Sequence, residues 1–314
     1  MKDLLRTEHL SRSDVELLLS TAAEFAEKPL RSNTALANKT VAIYMTKPST
    51  RTRLASETAV VHLGGTPIFI RGDDLQLGRG ETISDTAKII SGYASALIVR
   101  TFAQSDVDEL GANSSVPVIN ALTDVDHPTQ LLADWLTIRD NFGKDITGRK
   151  FVYLGDGNNM SHAWLIMGAI MGAHVVAATP GGKWAPDPIV VEVAKNIAAQ
   201  NGGRVELSND PEAAARDASV LYTDVWMSMG DSESDRTEKT RSLSPFTVSE
   251  QLMKLTVKDS IFMHCLPAHR GEEVSASVID GPRSVVWREA FHRRTTIQAI
   301  LYHLVRGDLE GSTR

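Results

Sequence analysis

A group of hydroxyl and guanidinium side chains follows the first β-branched run of the sequence. Lys47-Pro48-Ser49-Thr50-Arg51-Thr52-Arg53 leads into a helix-length segment that Gly64-Gly65 ends. Ser49 or Thr50 can cap such a helix, so the backbone N–H groups of its first turn and the planar fork of Arg51 would face one point. This arrangement favours a bound phosphate. Arg53 is interpreted as a surface residue, because Glu57 lies four positions later and can pair with it.

Arg100 is a second candidate for this site, because it ends the apolar run Ala96-Leu97-Ile98-Val99. A charged side chain at the end of a buried strand needs a partner. That partner would be an anion or a polarised carbonyl group, or else the carboxylate of Asp106 or Asp108. The position of Arg100 alone favours neither alternative.

His127 stands just before a helix-length segment that opens with Pro128, a residue suited to the first position of a helix. Gln130 would then project from the same helix terminus as His127. A single histidine is more often structural than catalytic. His127 is therefore a candidate only together with Arg51 and Arg100.

The segment Gly155-Asp156-Gly157-Asn158-Asn159 follows a predicted strand and precedes a predicted helix, as a dinucleotide-binding fingerprint does. Met160 occupies the position of the third glycine, however, and Ala178-Thr179-Pro180 after the next strand offers no acid for a ribose hydroxyl. These two differences make a dehydrogenase a weak interpretation.

Two further polar segments follow predicted strands in the second half of the chain. Asp224 ends one strand and leads into Ser228-Met229-Gly230, and His264-Cys265-Leu266-Pro267 follows another. A buried cysteine is usually only a small apolar residue. Cys265 lies between a histidine and a proline at a strand end, which favours a place in a site.

Short β-branched runs alternate with helix-length amphipathic segments along the whole chain, a pattern typical of parallel sheets flanked by helices. Ligands of such α/β sheets bind beyond the carboxyl ends of the strands, where the polar segments above are predicted to lie. The predicted strands are 41–45, 67–70, 96–99, 116–119, 151–154, 174–178, 205–207, 220–223, 261–263 and 285–287.

The length of 314 residues predicts two α/β domains of about 150 residues each. The polar segment 141–149 is the predicted boundary, which gives a first domain over 1–143 and a second over 149–289. The last helix, predicted over 290–306 within the terminal segment 290–314, has no strand after it and can pack back on the first domain. The polar stretch 231–239 is predicted to be a mobile surface loop.

Net charge, apolar runs and cysteine content indicate what kind of molecule the protein binds and in which compartment it works. The net charge of -6 argues against a general nucleic-acid surface and leaves room for a local cationic pocket that binds a small anion. No apolar run approaches the roughly 18 residues that cross a bilayer, and no signal peptide is evident at the start. Cys265 is the single cysteine, which suits a reducing compartment. We expect a cytoplasmic protein with small-molecule substrates.

Four motifs together resemble the aspartate/ornithine carbamoyltransferase superfamily, and the last two resemble ornithine carbamoyltransferases in particular. The resemblance also covers Gln76-Leu77-Gly78-Arg79-Gly80-Glu81 and the final helix, so it extends over nearly the whole chain. The four motifs are Ser49-Thr50-Arg51-Thr52-Arg53, His127-Pro128-Thr129-Gln130, Asp224-Val225-Trp226-Met227-Ser228-Met229-Gly230 and His264-Cys265-Leu266-Pro267.

The resemblance implies an N-terminal domain for carbamoyl phosphate, a C-terminal domain for ornithine, and a homotrimer or a multiple of trimers with active sites near subunit interfaces. It assigns the phosphate to Ser49, Thr50, Arg51 and Thr52, the carbamoyl oxygen to Arg100 and His127, and the carbamoyl group to Gln130. Gln76 would reach in from a neighbouring subunit. The ornithine positions are Asn159, Asp224, Ser228 and Met229, while Cys265 and the Leu266 carbonyl match positions beside the reacting amine and the carbamoyl nitrogen. Arg293 matches a C-terminal arginine.

The resemblance implies carbamoyl transfer to the side-chain amine of ornithine, a scheme that needs no cofactor and no metal. Two departures leave room for another acceptor. Arg53-Leu54-Ala55-Ser56-Glu57 lacks an aromatic residue that the family often has, and Ala290-Phe291-His292-Arg293-Arg294-Thr295 differs from the family pattern around Arg293. The alternatives are a carbamoyltransferase for putrescine, lysine or an acylated ornithine, and a non-catalytic paralogue.

Overall fold

The computed structural model describes residues 1–75, 80–227, 234 and 236–311. The chain forms two compact units, one made of Met1–Leu136 with Phe291–Arg314 and the other of Thr137–Ala290. Helices α5 (Pro128–Phe142) and α12 (Val286–Arg306) each contribute residues to both units. Within the described segments, no helix is long and apolar enough to cross a membrane.

The sheet of the first unit has four parallel strands in the order β2-β1-β3-β4. Because the strands are parallel, the segments that follow them leave from one edge of the sheet. Met45 pairs with Arg100, and Arg100 pairs with Leu122, so the ends of the three strands β1, β3 and β4 lie side by side. The strands are β1 (Thr40–Met45), β2 (Thr66–Arg71), β3 (Leu97–Arg100) and β4 (Val118–Leu122).

Helix α2 (Thr50–His62) of the first unit begins where the hydroxyl-rich motif predicts it. Ser49 is its N-cap, and its side chain accepts a hydrogen bond from the backbone N–H of Thr52. The chain then turns at Gly64, which has a φ of 82° and where a Cβ would lie 1.8 Å from the carbonyl oxygen of Asn33. Only glycine fits there. The other helices wholly within this unit are α1 (Arg12–Glu27), α3 (Ile83–Tyr93) and α4 (Gln104–Asn113).

The sheet of the second unit has five parallel strands in the order β7-β6-β5-β8-β9. Leu154, Thr223 and His264 stand side by side at the ends of β5, β8 and β9. The polar segments that follow these strands therefore leave from adjacent positions. The strands are β5 (Lys150–Leu154), β6 (His174–Ala178), β7 (Arg204–Ser208), β8 (Ala218–Thr223) and β9 (Ile261–His264).

Six helices of the second unit lie in its described part outside α5 and α12. The loop before the first of them is pressed against neighbouring backbone, since a Cβ on Gly157 would lie 2.2 Å from the carbonyl carbon of Ala185. The helices are α6 (Asn159–Ile170), α7 (Pro188–Asn201), α8 (Pro211–Ala215), α9 (Arg236–Leu243), α10 (Glu250–Met253) and α11 (Ala276–Ile279). Two α/β units with parallel sheets confirm the predicted fold class.

Two predictions of secondary structure are wrong. The β-branched segment 285–287 is not a tenth strand, because only an isolated bridge joins Ser284 to Phe262 before α12 begins at Val286. Val286 is fully buried, so its apolar character serves helix packing. The predicted loop 231–239 is wrong from Arg236 onward, where a helix begins and where Lys239 is 4% exposed and pairs with a carboxylate. Residues 231–233 and 235 of this prediction lie outside the described residues.

Candidate active site

The N-terminus of α2 forms one side of the candidate site in the first unit. The Ser49 hydroxyl lies 3.3 Å from the Thr52 backbone nitrogen and caps the helix. Thr50 is exposed, Arg51 is partly exposed and Thr52 is fully buried. The first turn of a helix has backbone N–H groups without intrahelical partners, and together with the helix dipole they favour an anion.

Two buried arginines meet at the Thr52 hydroxyl. It accepts hydrogen bonds from Arg100 Nη1 at 3.3 Å and from Arg293 Nη2 at 3.2 Å. Arg293 also donates to Gln130 Oε1 at 2.5 Å. Two guanidinium groups gathered at one hydroxyl concentrate positive charge there, and such a concentration attracts small anions. The site is therefore suited to a small, multiply charged anion, and the structure brings Arg293 to it from a distant part of the chain.

Lys47 is a cation of this site that the sequence prediction left out. Its side chain is buried, with Nζ 3.5 Å from the centre of the Phe102 ring. Burial lowers the pKa of Lys47, and the nearby Arg100 lowers it further. The position of Lys47 in the sequence, between β1 and Ser49, was the signal that could have identified it as a site residue.

The His127 imidazole lies among the arginines. Burial, and then the charges of Arg293, Arg100 and Arg51, hold the pKa of His127 well below its usual range. The ring is therefore neutral near pH 7 and acts as a hydrogen-bonding group. Its Nδ1 lies 3.3 Å from the Thr129 hydroxyl.

Buried acids hold the two ends of the His127-Pro128-Thr129-Gln130 motif. Asp126 accepts hydrogen bonds from the His127 backbone N–H at 2.7 Å and from the Thr7 hydroxyl at 2.8 Å. Burial raises the pKa of Asp126 to about 6. At the other end, Gln130 Nε2 donates to Asp134 Oδ1 at 2.8 Å. Gln130 is thus held between Asp134 and Arg293.

Two other sequence interpretations in this unit concern the partners of Arg53 and Arg100. The predicted pair of Arg53 and Glu57 is confirmed, with an N–O distance of 3.0 Å. Asp108, one of the two carboxylates considered for Arg100, lies 2.7 Å from Arg6 Nη2. Asp106, the other, accepts a hydrogen bond from the Thr101 hydroxyl at 3.3 Å.

In the second unit, Asp224 and Cys265 lie together at the ends of β8 and β9. The Cys265 thiol donates to Asp224 Oδ1 at 2.9 Å, and the Val225 backbone N–H donates to the same oxygen at 2.8 Å. Asp224 is 8% exposed, whereas Cys265 is partly exposed. A carboxylate and a thiol in contact can orient an amine and receive its proton.

Asn158, which the sequence interpretation did not select, is the asparagine that contacts Asp224. Its Nδ2 donates to Asp224 Oδ2 at 3.3 Å, and its Oδ1 caps α6 by accepting the N–H groups of Met160 and Ser161. The predicted Asn159 is partly exposed in the first turn of α6. An asparagine before a helix is a strong N-cap signal, and that signal could have identified Asn158.

Three predicted site residues, Gln76, Ser228 and Met229, lie outside the described residues. Leu266 is described and follows Cys265 with a φ of 58°, an unusual backbone conformation for a residue other than glycine.

Comparisons with known proteins place both halves of the chain in one family. Residues 2–140 match the aspartate/ornithine carbamoyltransferase carbamoyl-P binding domain, and residues 147–304 match the Asp/Orn binding domain of the same family. An ornithine carbamoyltransferase of Pyrococcus horikoshii is 46% identical over 308 residues, which cover 98% of this chain and 96% of that protein.

Solved structures of similar proteins share the fold over nearly the full length. Ornithine carbamoyltransferase from Pyrococcus furiosus is 45% identical with a TM-score of 0.92, and the match covers 98% of each chain. An N-acetyl-L-ornithine transcarbamylase is 28% identical with a TM-score of 0.87, covering 97% of this chain and 100% of that one.

Proposed function

The chain belongs to the aspartate/ornithine carbamoyltransferase family, and from that premise we propose that it transfers the carbamoyl group of carbamoyl phosphate to the side-chain amine of L-ornithine. The products are L-citrulline and phosphate. The observation that carries the proposal is the cluster in the first unit, where Arg100 and Arg293 share the Thr52 hydroxyl beside a neutral His127. An acyl phosphate has the anionic and carbonyl groups that these side chains would bind.

We assign the phosphate of the donor to Ser49, Thr50, Arg51 and Thr52 at the N-terminus of α2. The cap geometry of Ser49 directs backbone N–H groups of the first turn toward one point, where a phosphate is favoured. Arg51 adds a planar fork of donors that matches phosphate oxygens. We also expect Gln76 of a second subunit to reach this phosphate site.

The carbamoyl end of the donor is assigned to Arg100, His127, Gln130 and Arg293. When the Thr129 hydroxyl donates to His127 Nδ1, the ring carries its proton on Nε2 and can donate it to the carbonyl oxygen. Gln130 is held by Asp134 and Arg293, so its side chain has a defined orientation. Donors fixed in advance stabilise an oxyanion without reorganising during the reaction.

The acceptor is assigned to Asn159, Asp224, Ser228 and Met229, with Cys265 and the Leu266 carbonyl beside the reacting groups. A free side-chain amine has a pKa near 10.4, so most of it is protonated at neutral pH and it must lose a proton before it attacks. Contacts with Cys265 and Asn158 hold the Asp224 carboxylate in place, which supports its role in orienting the amine while it gives up its proton.

Transfer then takes place by attack of the amine nitrogen on the carbamoyl carbon. The new C–N bond forms an oxyanion that Arg100, His127 and Thr52 stabilise. The C–O bond to the phosphate breaks, and the departing phosphate takes the second proton from the attacking nitrogen. Phosphate leaves into charges that are already arranged for it.

A panel of acceptors tests the proposal. Purified protein with carbamoyl phosphate is incubated separately with ornithine, putrescine, lysine, N-acetylornithine and aspartate, and both phosphate and ureido product are measured. Ornithine should be preferred by a wide margin. Asp224→Asn should reduce ornithine turnover far more than it reduces carbamoyl phosphate binding, because Asp224 belongs to the acceptor assignment.

Preference for another acceptor in this panel would overturn the ornithine assignment. No turnover with any amine would favour the non-catalytic paralogue.

We also propose that the protein is a homotrimer or a multiple of trimers in which Gln76 acts across subunits. Light scattering should give a mass that is a multiple of three 34.2 kDa chains. Mixing inactive Gln76→Ala and Arg51→Leu variants, after dissociation and reassembly, should restore part of the activity. Some sites then combine the intact Arg51 of one subunit with the intact Gln76 of another. Absence of restored activity in reassembled mixtures would contradict a shared site.

A further inference from the structure

A buried histidine–carboxylate pair lies behind the loop that carries Cys265 and Leu266. His264, the last residue of β9, and Glu273 both have side chains with no exposed surface. His264 Nε2 lies 3.2 Å from Glu273 Oε1. Neither residue belongs to the substrate contacts assigned above.

The hydrogen bonds of His264 determine which ring nitrogen carries the proton. The Leu266 backbone N–H donates to His264 Nδ1 at 2.8 Å, so this nitrogen must present its lone pair. The proton of the neutral ring is therefore on Nε2, from where it is donated to Glu273. This makes a continuous chain of hydrogen bonds from Glu273 through His264 to the peptide N–H of Leu266.

That peptide group lies in an unusual conformation. Leu266 has a φ of 58°, in the left-handed region that residues other than glycine seldom occupy and that surrounding contacts must hold. Glu273 also accepts the His269 backbone N–H, so one carboxylate contacts both ends of the segment 264–269. The His264 backbone N–H donates to Glu289 Oε2 at 3.0 Å.

We propose that His264 and Glu273 are positioning residues that hold Cys265 and Leu266 in the geometry required for transfer. Glu273 fixes the ring orientation and tautomer of His264. His264 then orients the Cys265–Leu266 peptide, which keeps the thiol against Asp224 and the Leu266 carbonyl in place. The inference rests on the proposed function, because it assigns these two groups to the reacting end of the acceptor.

Two substitutions of His264 separate its two hydrogen bonds. In His264→Asn the side-chain oxygen can replace Nδ1 and still accept the Leu266 N–H, whereas in His264→Gln the amide reaches toward Glu273 and leaves that N–H without its acceptor. His264→Asn should retain most of the turnover. His264→Gln should lower kcat roughly 10- to 100-fold, since misplacement of reacting groups by about 1 Å has effects of this size.

The two variants should differ only at the acceptor end. Binding of carbamoyl phosphate, measured by calorimetry, should match wild type in both, because its assigned residues lie in the first unit. The KM for ornithine should rise in His264→Gln. Because Cys265 is the only thiol, its alkylation rate by iodoacetamide reports directly on the loop and should change in His264→Gln but not in His264→Asn.

A second pair of variants covers the case in which His264→Gln does not fold. Glu273→Ala removes the partner of Nε2 and should lower kcat, whereas Glu273→Gln keeps an acceptor oxygen of the same shape and should restore most of it. His174→Asn is the matched control, because His174 pairs with Glu206 at 2.5 Å on the surface of the same unit. It should leave kcat and the alkylation rate unchanged.

Equal kcat and equal alkylation rates in His264→Asn and His264→Gln, or in Glu273→Ala and Glu273→Gln, would overturn the proposal. The alkylation rates do not depend on turnover. If wild-type protein proved inactive with ornithine, the proposed function would fail while the comparison of thiol reactivity still tested the positioning role.

Discussion

His127 shows how burial, together with neighbouring charges, determines the protonation state of a single residue. Its low pKa means that the unfolded chain takes up a proton near pH 6.5 while the folded protein does not. The contribution of His127 to stability is therefore present above pH 6.5 and is lost as the pH falls below it. A neutral ring is also the form that can donate to a carbonyl oxygen without adding a fourth positive charge beside the arginines.

NMR of the histidine ring protons tests this protonation state. The His127 signal, identified by its absence in His127→Asn, should not titrate between pH 6 and 8. A signal that titrates near pH 6.5 would contradict the neutral ring.

Arg51 and Arg53 provide a matched pair on the same helix. Arg53 is bound to Glu57 and its guanidinium lies 3.8 Å from the Phe69 ring, so its charge is already satisfied. Arg51→Leu should weaken carbamoyl phosphate binding by about 2–4 kcal/mol, or roughly 30- to 1,000-fold, through loss of charge-assisted hydrogen bonds. Arg53→Leu should change the affinity by less than about threefold. Calorimetry that gives equal affinities for the two variants would remove Arg51 from the site.

At the scale of elements, an ion pair joins α9 to the loop between β5 and α6. Lys239 Nζ lies 2.6 Å from an Asp156 carboxylate oxygen, and the two side chains are only 5% and 12% exposed. Asp156 lies two residues before Asn158, which contacts Asp224. The pair therefore fixes a loop that supports the acceptor assignment.

Lys239→Met should destabilise the protein by about 3–5 kcal/mol, because it leaves Asp156 as a buried charge that has lost its cation. Glu238→Gln on the same helix is the control, since Glu238 pairs with Lys183 at the surface and should contribute less than about 1 kcal/mol. Chemical denaturation at fixed protein concentration measures both. Similar losses of unfolding free energy in the two variants would show that the buried pair of Lys239 and Asp156 contributes no more to stability than a surface pair.

Sequence patterns predicted nine strands to within three residues at each end, because buried parallel strands form short, continuous β-branched runs. The tenth prediction, at 285–287, failed because Val285 and Val286 are apolar for a different reason. Val285 donates its N–H to Phe262 at the sheet edge, and Val286 starts a helix and packs in the core. Composition alone does not distinguish a short strand from the buried start of a helix.

At the scale of the whole molecule, candidate residues that the sequence indicates without the resemblance lie at or after strand ends. Ser49 follows β1 and Arg100 ends β3 in the first unit, while Asp224 follows β8 in the second unit. Parallel topology places such ends at one edge of each sheet. Arg293 was selected only by resemblance, since it lies in the middle of a terminal helix. Its contacts with Gln130 and Thr52 depend on folding of the two ends of the first unit into one body, which local sequence does not encode.

Asp126 joins the N-terminal segment to the same site. The free energy of unfolding should therefore respond to the protonation of its carboxyl group. Asp126 accepts hydrogen bonds from both Thr7 and His127. Burial raises its pKa from 3.8 to about 6, so between these pH values the folded protein holds a proton that the unfolded chain releases. The contribution of Asp126 to stability is therefore greatest below pH 4 and falls as the pH rises to 6.

The variant Asp126→Asn cannot ionise at this position. The free energy of unfolding of wild type, taken relative to this variant, should therefore decrease by up to about 3 kcal/mol between pH 4 and pH 7. The size of this change follows from about 1.36 kcal/mol for each unit by which the pKa is raised. Loss of a hydrogen bond to Thr7 or His127 adds an offset that does not depend on pH. Asp280→Asn is the control, because the hydrogen bond from Arg270 lowers the pKa of Asp280 below its ordinary value of 3.8. This carboxylate is ionised in both the folded and the unfolded chain over most of the range, so the difference for Asp280→Asn should stay nearly constant. Urea denaturation across this pH range, at one protein concentration, measures both differences. A constant difference for Asp126→Asn would mean that the carboxylate is already ionised at pH 4 and that its bonds to Thr7 and His127 outweigh the effect of burial.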